Sequence, residues 1–239
     1  MMPRTLFARW LGTGVDSEFT SRFRQFGRST FDLLTDIVFP PTCAGCGSLG
    51  DWLCARCIEK LGQIDLLHEP YFRTIEGSSA RLTARFTYAD PVRRAIHLLK
   101  YSGERARAIW FAEQIVPLLE FLRLDHAVLE PIPLTPARER SRGFNQSREI
   151  SLHLENLVGV PVGGGLSRIR ETRPQVELNG HERIINVRGA FEASSQVAGM
   201  HVILLDDVVT TGSTMRECAA ACYTAGAASV VGVAVASGA

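Results

Sequence analysis

The sequence has no apolar run approaching the roughly 18 to 20 residues that cross a bilayer, so it predicts no membrane-spanning helix. It has almost no charge imbalance. The net charge at pH 7 is +1, so no global field draws the chain to nucleic acid or membrane, and any basic patch has to be local. It lacks a well-formed export signal, because Arg9 interrupts the one apolar stretch near its start, Leu6 to Leu11. The expected compartment is therefore the cytoplasm. There is no internal repeat and no low-complexity tract. The histidines (His68, His97, His126, His153, His181 and His201) stand at no ligand spacing from one another, and no role is expected of them.

What is present is an ordinary globular composition, 46% hydrophobic and 21% charged over 239 residues, enough for one large domain or one domain plus a small module. Phe19, Phe23, Phe26, Leu33, Leu34 and Ile37 recur at near-helical spacing and predict an amphipathic helix in a segment spanning 1–40. Packing is the first reading of its apolar face, and a partner-docking or membrane-surface role the lesser one. Phe39-Pro40-Pro41 stops the helix and opens a segment, 41–67, that contains Cys43-Ala-Gly-Cys46 and Cys54-Ala-Arg-Cys57. Each Cys-x-x-Cys places two thiolates on one tight turn, and four thiolates complete a tetrahedral zinc site. Without an export signal a metal site, not a disulfide framework, is the default. Iron is the chemical alternative. A closed four-thiolate site has no open position for catalysis, so the zinc is expected to be structural. Cys218 and Cys222, at i,i+4 spacing, read as small buried residues on a helix face.

Residues 68–239 read as the main domain. Runs at 70–76 and 81–88 suggest a hairpin, followed by helices near 91–100 and 105–123. A short buried strand, His126 to Glu130, ends at Pro131-Ile132-Pro133. A long helix is expected over 143–157, a strand from Val160 to Leu166, a third strand from His201 to Leu205, a helix over 214–225 and a closing strand from Val230 to Val235. Strands alternating with helices imply a mainly parallel sheet covered on both faces, with ligands beyond the carboxyl ends of its strands.

The most informative segment is Val202-Ile-Leu-Leu-Asp206-Asp207-Val-Val-Thr210-Thr211-Gly212-Ser213-Thr214. It reads as a buried strand, two acids, a hydroxyl-rich turn and a helix start. Two carboxylates at a strand end can hold the 2- and 3-hydroxyls of a ribose. The turn offers N–H groups and hydroxyls to a 5-phosphate, favoured by the helix dipole. A capping box of Thr214 with Glu217 would account for those two residues alone. The segment resembles the phosphoribosyl-pyrophosphate (PRPP) motif of type I phosphoribosyltransferases. The anionic pyrophosphate needs counter-charge, and two stretches offer it: Arg138-Glu-Arg140-Ser-Arg142, and residues 168–188 with their five arginines.

Beyond about residue 30 the chain resembles the ComF family of competence-related, phosphoribosyltransferase-like proteins. The resemblance rests on Phe-Pro-Pro-x-Cys43-x-x-Cys46-Gly with Cys54 and Cys57, and on Leu99-Lys100-Tyr101-x-Gly103 and Pro131-Ile-Pro133-Leu134. It continues through Arg140-x-Arg142-Gly143-Phe144-Asn145-Gln146 and Thr172-Arg173-x-Gln175-x-x-Leu178 to Arg183, Asn186 and Phe191. It implies a type I phosphoribosyltransferase fold with an N-terminal zinc module, and a tie to uptake of single-stranded DNA. In an enzyme of this kind Asp206 and Asp207 orient the ribose, and Thr210, Thr211, Gly212, Ser213 and Thr214 bind the 5-phosphate. Mg²⁺ bridges pyrophosphate and ribose, and Arg140, Arg142 and Lys100 stabilise the departing pyrophosphate. Residues 168–188 form a lid that excludes water. The acceptor is not identified. The alternative is a protein without turnover that senses PRPP or binds single-stranded DNA, or that docks a competence helicase through its zinc module. Phe144 and Tyr101 are then the candidates for base stacking.

Overall fold

The computed structural model describes residues 40–61, 71–73, 79–119, 122, 125–171 and 186–238. The expected N-terminal helix, the turn at 74–78 and most of the Arg-rich lid lie outside them. By its contacts the chain divides into residues 1–40 and 41–239, so the cysteine segment packs in the same unit as the sheet.

Among the described residues a five-stranded sheet runs β1 (Tyr71–Arg73), β2 (Ser79–Thr87), β7 (Ser229–Ser237), β6 (His201–Val209), β3 (Ala127–Pro131) in spatial order. Strand β1 is antiparallel to β2 and the other pairings are parallel. A second, two-stranded antiparallel sheet joins β4 (Leu166–Arg168) to β5 (Phe191–Ala193). The run Val202-Ile-Leu-Leu205 is buried throughout, as a strand covered on both faces must be.

Alternation along β6 sorts the core into two layers. Ile203 and Leu205 face α2 (Val92–Tyr101), α3 (Arg107–Leu119) and α5 (Gln146–Val158), where Ile96, Leu99, Phe111, Ile115, Ile150 and Leu154 are buried. Val202 and Leu204 face α6 (Ser213–Thr224) and the β4–β5 sheet, meeting Met215, Cys218, Cys222, Leu166 and Phe191. Cys218 and Cys222 are fully buried, as their helical spacing suggests. Each large apolar side chain so buried contributes about 1.5–3 kcal/mol.

Several elements differ from the sequence expectation. The helix expected over 143–157 is α5, starting three residues later than expected, and a further short helix, α4 (Pro136–Arg142), precedes it. Gly143 ends α4 in the left-handed region at φ 77°, and Asn145 then caps α5, its side chain accepting from the N–H groups of Ser147 and Arg148. Thr135 caps α4 and Pro136 opens it. The strand expected from Val160 to Leu166 shrinks to one bridge, Val162 to Leu129, before β4. The Glu130 carboxylate fills the space beside Gly163, where a Cβ would collide with it, and a Cβ at Gly165 would collide with Val197. Both Glu130 oxygens accept backbone N–H groups, from Gly165 at 3.0 Å and Leu166 at 3.2 Å. Strand β6 runs on to Val209, so the two acids lie within it and not beyond its end. The capping box does not form. Gly212 is the N-cap of α6, and Glu217 instead accepts from the Gly189 N–H at 2.8 Å.

The cysteine segment is a tight knuckle. Cys43 N–H donates to Ser48 O at 2.8 Å and Gly47 N–H to Cys43 O at 2.9 Å, with Gly47 at φ 77°. Short helix α1 (Ala55–Ile58) carries Cys57. Cys43, Ala44, Leu53 and Cys57 are part of the α2/α3/α5 core layer. Arg107 of α3, only 2% exposed, donates to the carbonyls of Trp52 and Thr42 at 2.9 and 3.0 Å and pairs with Glu104.

Candidate functional site

Strand β6 and the turn after it build the site. Asp206 shares a face with Val202 and Leu204, and Asp207 shares the other with Ile203 and Leu205, because successive strand side chains alternate. Asp206 therefore lines a shallow, solvent-open hollow of about 30 Å³ together with Val208–Met215, which includes all five residues of the hydroxyl-rich turn. Gly212 sits at φ 70°, a left-handed position that a Cβ would strain. It turns the chain so that Ser213 opens α6. Thr211 and Ser213 hydroxyls meet at 3.0 Å, and Arg216 N–H bonds the Gly212 carbonyl at 2.9 Å. The hollow thus lies at the start of a three-turn helix, the end whose dipole favours negative charge.

Asp207 does not line the hollow. It is 3% exposed and bound by its neighbours. Lys100, at the last turn of α2, forms an ion pair with Asp207 Oδ2. Gln146 Nε2 donates to Asp207 Oδ1 at 3.4 Å. The next residue of α5, Ser147, donates its hydroxyl to Asp206 Oδ1 at 3.1 Å, and the Asp207 N–H donates to the same oxygen at 2.8 Å. The first turn of α5 thus serves both acids, which is why Asn145 has to start the helix where it does.

The two carboxyls are shifted in opposite directions. Burial and the adjacent Asp207 charge push Asp206 well above the usual carboxylate range. Burial also acts on Asp207, but the Lys100 charge and its hydrogen bond outweigh it and hold Asp207 low. Burial works against the Lys100 charge, yet the two acids keep Lys100 above its ordinary value. The pair is thus shifted apart: Asp207 is held as the partner of an ammonium, and Asp206 resists ionisation beside it.

Arg142 reaches the same cluster. It donates to Gln146 Oε1 at 2.9 Å and to the Tyr101 hydroxyl at 3.0 Å, with its guanidinium 5.1 Å from the Tyr101 ring centre. Both partners are neutral. Arg140 is exposed on α4. Of the pyrophosphate candidates, Lys100 and Arg142 are brought to the acids. Phe144 is buried, with Arg105 stacked 4.6 Å from its ring centre, whereas Tyr101 is 60% exposed. Sequence reasoning gave no role to Gln146 or Ser147. Their place just after an Asn N-cap was the available signal.

The four cysteine sulfurs lie within 4.8 Å of one another. Tetrahedral zinc with Zn–S near roughly 2.3 Å spaces its sulfurs by about 3.8 Å, and Cys46 and Cys54 stand 3.7 Å apart. The residues fit the metal. Burial pushes the Cys43 thiol up, but N–H groups of Cys46, Cys54 and Gly45 bring it down to about 6, a thiolate ready for metal. Burial and the neighbouring sulfurs push Cys57 up to about 12 without an ion, so binding there releases a proton.

Comparison with known proteins gives the same outline. A phosphoribosyl transferase domain model matches residues 128–238. The DNA utilization protein YhgH of Escherichia coli (strain K12) is 31% identical over 204 residues, 82% of this chain and 82% of that protein. Competence protein F of Haemophilus influenzae is 27% identical over 187 residues, 74% of this chain and 76% of that protein. Among solved structures, the glutamine PRPP amidotransferase from B. subtilis aligns with a TM-score of 0.39 at 18% identity, over 69% of this chain and 35% of that one. The domain model gives the sheet and its helices a type I phosphoribosyltransferase fold. No helix among the described residues is long and apolar enough to cross a membrane.

Proposed function

Since the chain belongs to the ComF family, we propose that it binds PRPP in the hollow between Asp206 and Thr214 and transfers the phosphoribosyl group to an acceptor, releasing pyrophosphate. One observation carries this reading: Asp206 and the Thr210–Thr214 turn at the head of α6 line one hollow. The turn binds the 5-phosphate through its N–H groups and hydroxyls. Asp206 accepts from a ribose hydroxyl. Arg142, whose partners here are neutral, and Lys100 meet the pyrophosphate. The acceptor attacks C1 of the ribose as the C1–O bond breaks, and its electron pair leaves with the pyrophosphate, stabilised by these two cations. Zinc on Cys43, Cys46, Cys54 and Cys57 supplies folding energy. Relatives called DNA utilization protein and competence protein F support a place for this chemistry in the handling of incoming DNA. Calorimetric titration with PRPP, on the whole chain and on Asp206→Asn, tests the site. Saturable heat that the variant loses supports it, and identical isotherms reject it. Pyrophosphate release from PRPP with a panel of nucleobases tests turnover.

A second reading has specific support in the exposed Tyr101 ring stacked with Arg142. Such a pair can hold an unstacked base, as in proteins that bind single-stranded DNA. PRPP would then be a signal and not a substrate. Single-stranded DNA affinity that falls steeply with salt and is lost in Tyr101→Ala, without pyrophosphate release, favours this reading.

A further inference from the structure

The two oxygens of the Asp206 carboxyl stand in different situations. Oδ1 accepts two donors, the Asp207 N–H at 2.8 Å and the Ser147 hydroxyl at 3.1 Å. Among the described residues no donor reaches Oδ2. Asp206 lines the hollow, so Oδ2 is the oxygen offered to whatever enters it. The two donors on Oδ1 come from different elements. The Asp207 N–H belongs to β6 itself and adjoins the carboxyl, and Ser147 reaches across from the first turn of α5. The last torsion of an aspartate side chain is broad and two-fold, so one donor alone leaves the carboxyl plane loose. A second donor on the same oxygen, fixed to another element, settles both the plane and which oxygen stays free.

Ser147 is itself well fixed. It is fully buried. Its N–H donates to the Asn145 side chain at 2.9 Å, and its carbonyl accepts the Ser151 hydroxyl at 2.9 Å. Asn145 Nδ2 in turn donates to the Ile132 carbonyl at 3.0 Å, which ties the start of α5 to the residue after β3. The cap needs only the Ser147 backbone, so the hydroxyl is free of any duty to the helix. Ser151, one turn on, turns its hydroxyl back to a carbonyl of its own helix, the common habit of a helical serine. The Ser147 hydroxyl points instead to Asp206.

We propose that Ser147 is a positioning residue for the sugar: by holding Asp206 Oδ1 it presents Oδ2 to a ribose hydroxyl, and so makes the site prefer a ribose 5-phosphate to a bare phosphate. The inference rests on the reading of the hollow as a sugar-phosphate site.

The test is calorimetric titration of the full zinc-loaded chain with ribose 5-phosphate and, separately, with inorganic phosphate, at one Mg²⁺ concentration throughout. The proteins are wild type, Ser147→Ala, Asp206→Ala and the double variant. Ser147→Ala is expected to lose about 3- to 10-fold in affinity for ribose 5-phosphate, the change that goes with one hydrogen bond, and less than about 2-fold for inorganic phosphate. In the Asp206→Ala background the same substitution should change neither affinity, because the carboxyl it positions is gone. An unchanged ribose 5-phosphate affinity in Ser147→Ala overturns the inference and leaves the site reading intact. So does an equal loss for both ligands, which is what a merely structural role would give, or a loss that persists without Asp206. If wild type binds neither ligand, the site reading falls and this one with it. Should Ser147→Ala fail to fold, Ser147→Cys, close in size and only a weak donor, is read by the same criteria.

Discussion

Arg107 donates to the Trp52 carbonyl and lays its guanidinium over the indole of the same residue, 4.7 Å from the ring centre. With its second bond to Thr42 and its ion pair to Glu104, this side chain fastens the cysteine knuckle to α3. Arg107→Ala would leave two carbonyls without their donor and Glu104 without its cation. The expected loss is about 3 kcal/mol of stability. Denaturant unfolding of the zinc-loaded protein measures it, and a change below about 0.5 kcal/mol, the range of an ordinary surface substitution, would show that the clamp is idle.

Metal removal should reach further than the knuckle. Cys43 and Cys57 belong to the same core layer as Phe111 and Leu154. Chelation is therefore expected to lower the melting temperature of the whole unit and to weaken its near-ultraviolet circular dichroism, not merely to free four thiols. Unchanged melting after complete zinc loss would show that the knuckle folds apart from the sheet.

The two adjacent acids should answer substitution in opposite ways. Asp207→Asn strands a buried Lys100 and is expected to cost about 3 kcal/mol of stability. Asp206→Asn removes a carboxyl that resists ionisation, so stability at neutral pH should hold or rise while PRPP affinity falls. Paired urea unfolding and calorimetry separate the two. Equal destabilisation by both variants would contradict the asymmetry.

The ion pair has a defined pH window. Asp207 is held low when folded, so its contribution is present above the unfolded carboxylate value of about 3.9 and is lost as pH falls through its folded value. Lys100 is held high, so its contribution is present below the unfolded value of about 10.4 and is lost as pH rises through its folded value. The stability difference between wild type and Asp207→Asn should therefore form a plateau from about pH 4 to pH 10 that declines at both ends. A difference that does not vary with pH would mean that the pair contributes nothing to folding.

Gly163→Ala is expected to destabilise by about 1–3 kcal/mol, because the added methyl meets the Glu130 carboxylate in a packed space. Gly164→Ala, where a Cβ meets nothing within 4 Å, is the control and should be close to neutral. Thermal unfolding of the two variants is sufficient to compare them.

The parallel sheet, the two core layers and the strand–turn–helix at Asp206 were legible because apolar runs and hydroxyl-rich turns are local signals. The cysteine cluster was legible because spacing alone defines it. The separate roles of Asp206 and Asp207 were not. They depend on β6 continuing past Leu205, which pairing with Ala236 and Ser237 of β7 decides. Nor could the sequence show that Lys100 meets Asp207, since α2 and β6 are joined only by packing. The boundary between α4 and α5 was available in Gly143 and Asn145, a C-cap followed by an N-cap. The lost strand at Val162 was not, because a glutamate in an apolar strand gave no hint that its carboxylate would turn the following glycines away from the sheet.

Strand β7 lies in the interior of the sheet, with β2 on one side and β6 on the other. Neither neighbour can complete its hydrogen bonding until Ser229–Ser237 has left the ribosome. Strands β2 and β6 therefore each wait with one edge unpaired until β7 emerges, and closure of the sheet joins segments far apart in the chain. A premature stop anywhere before Ser229 would leave β2 and β6 with nothing to join them.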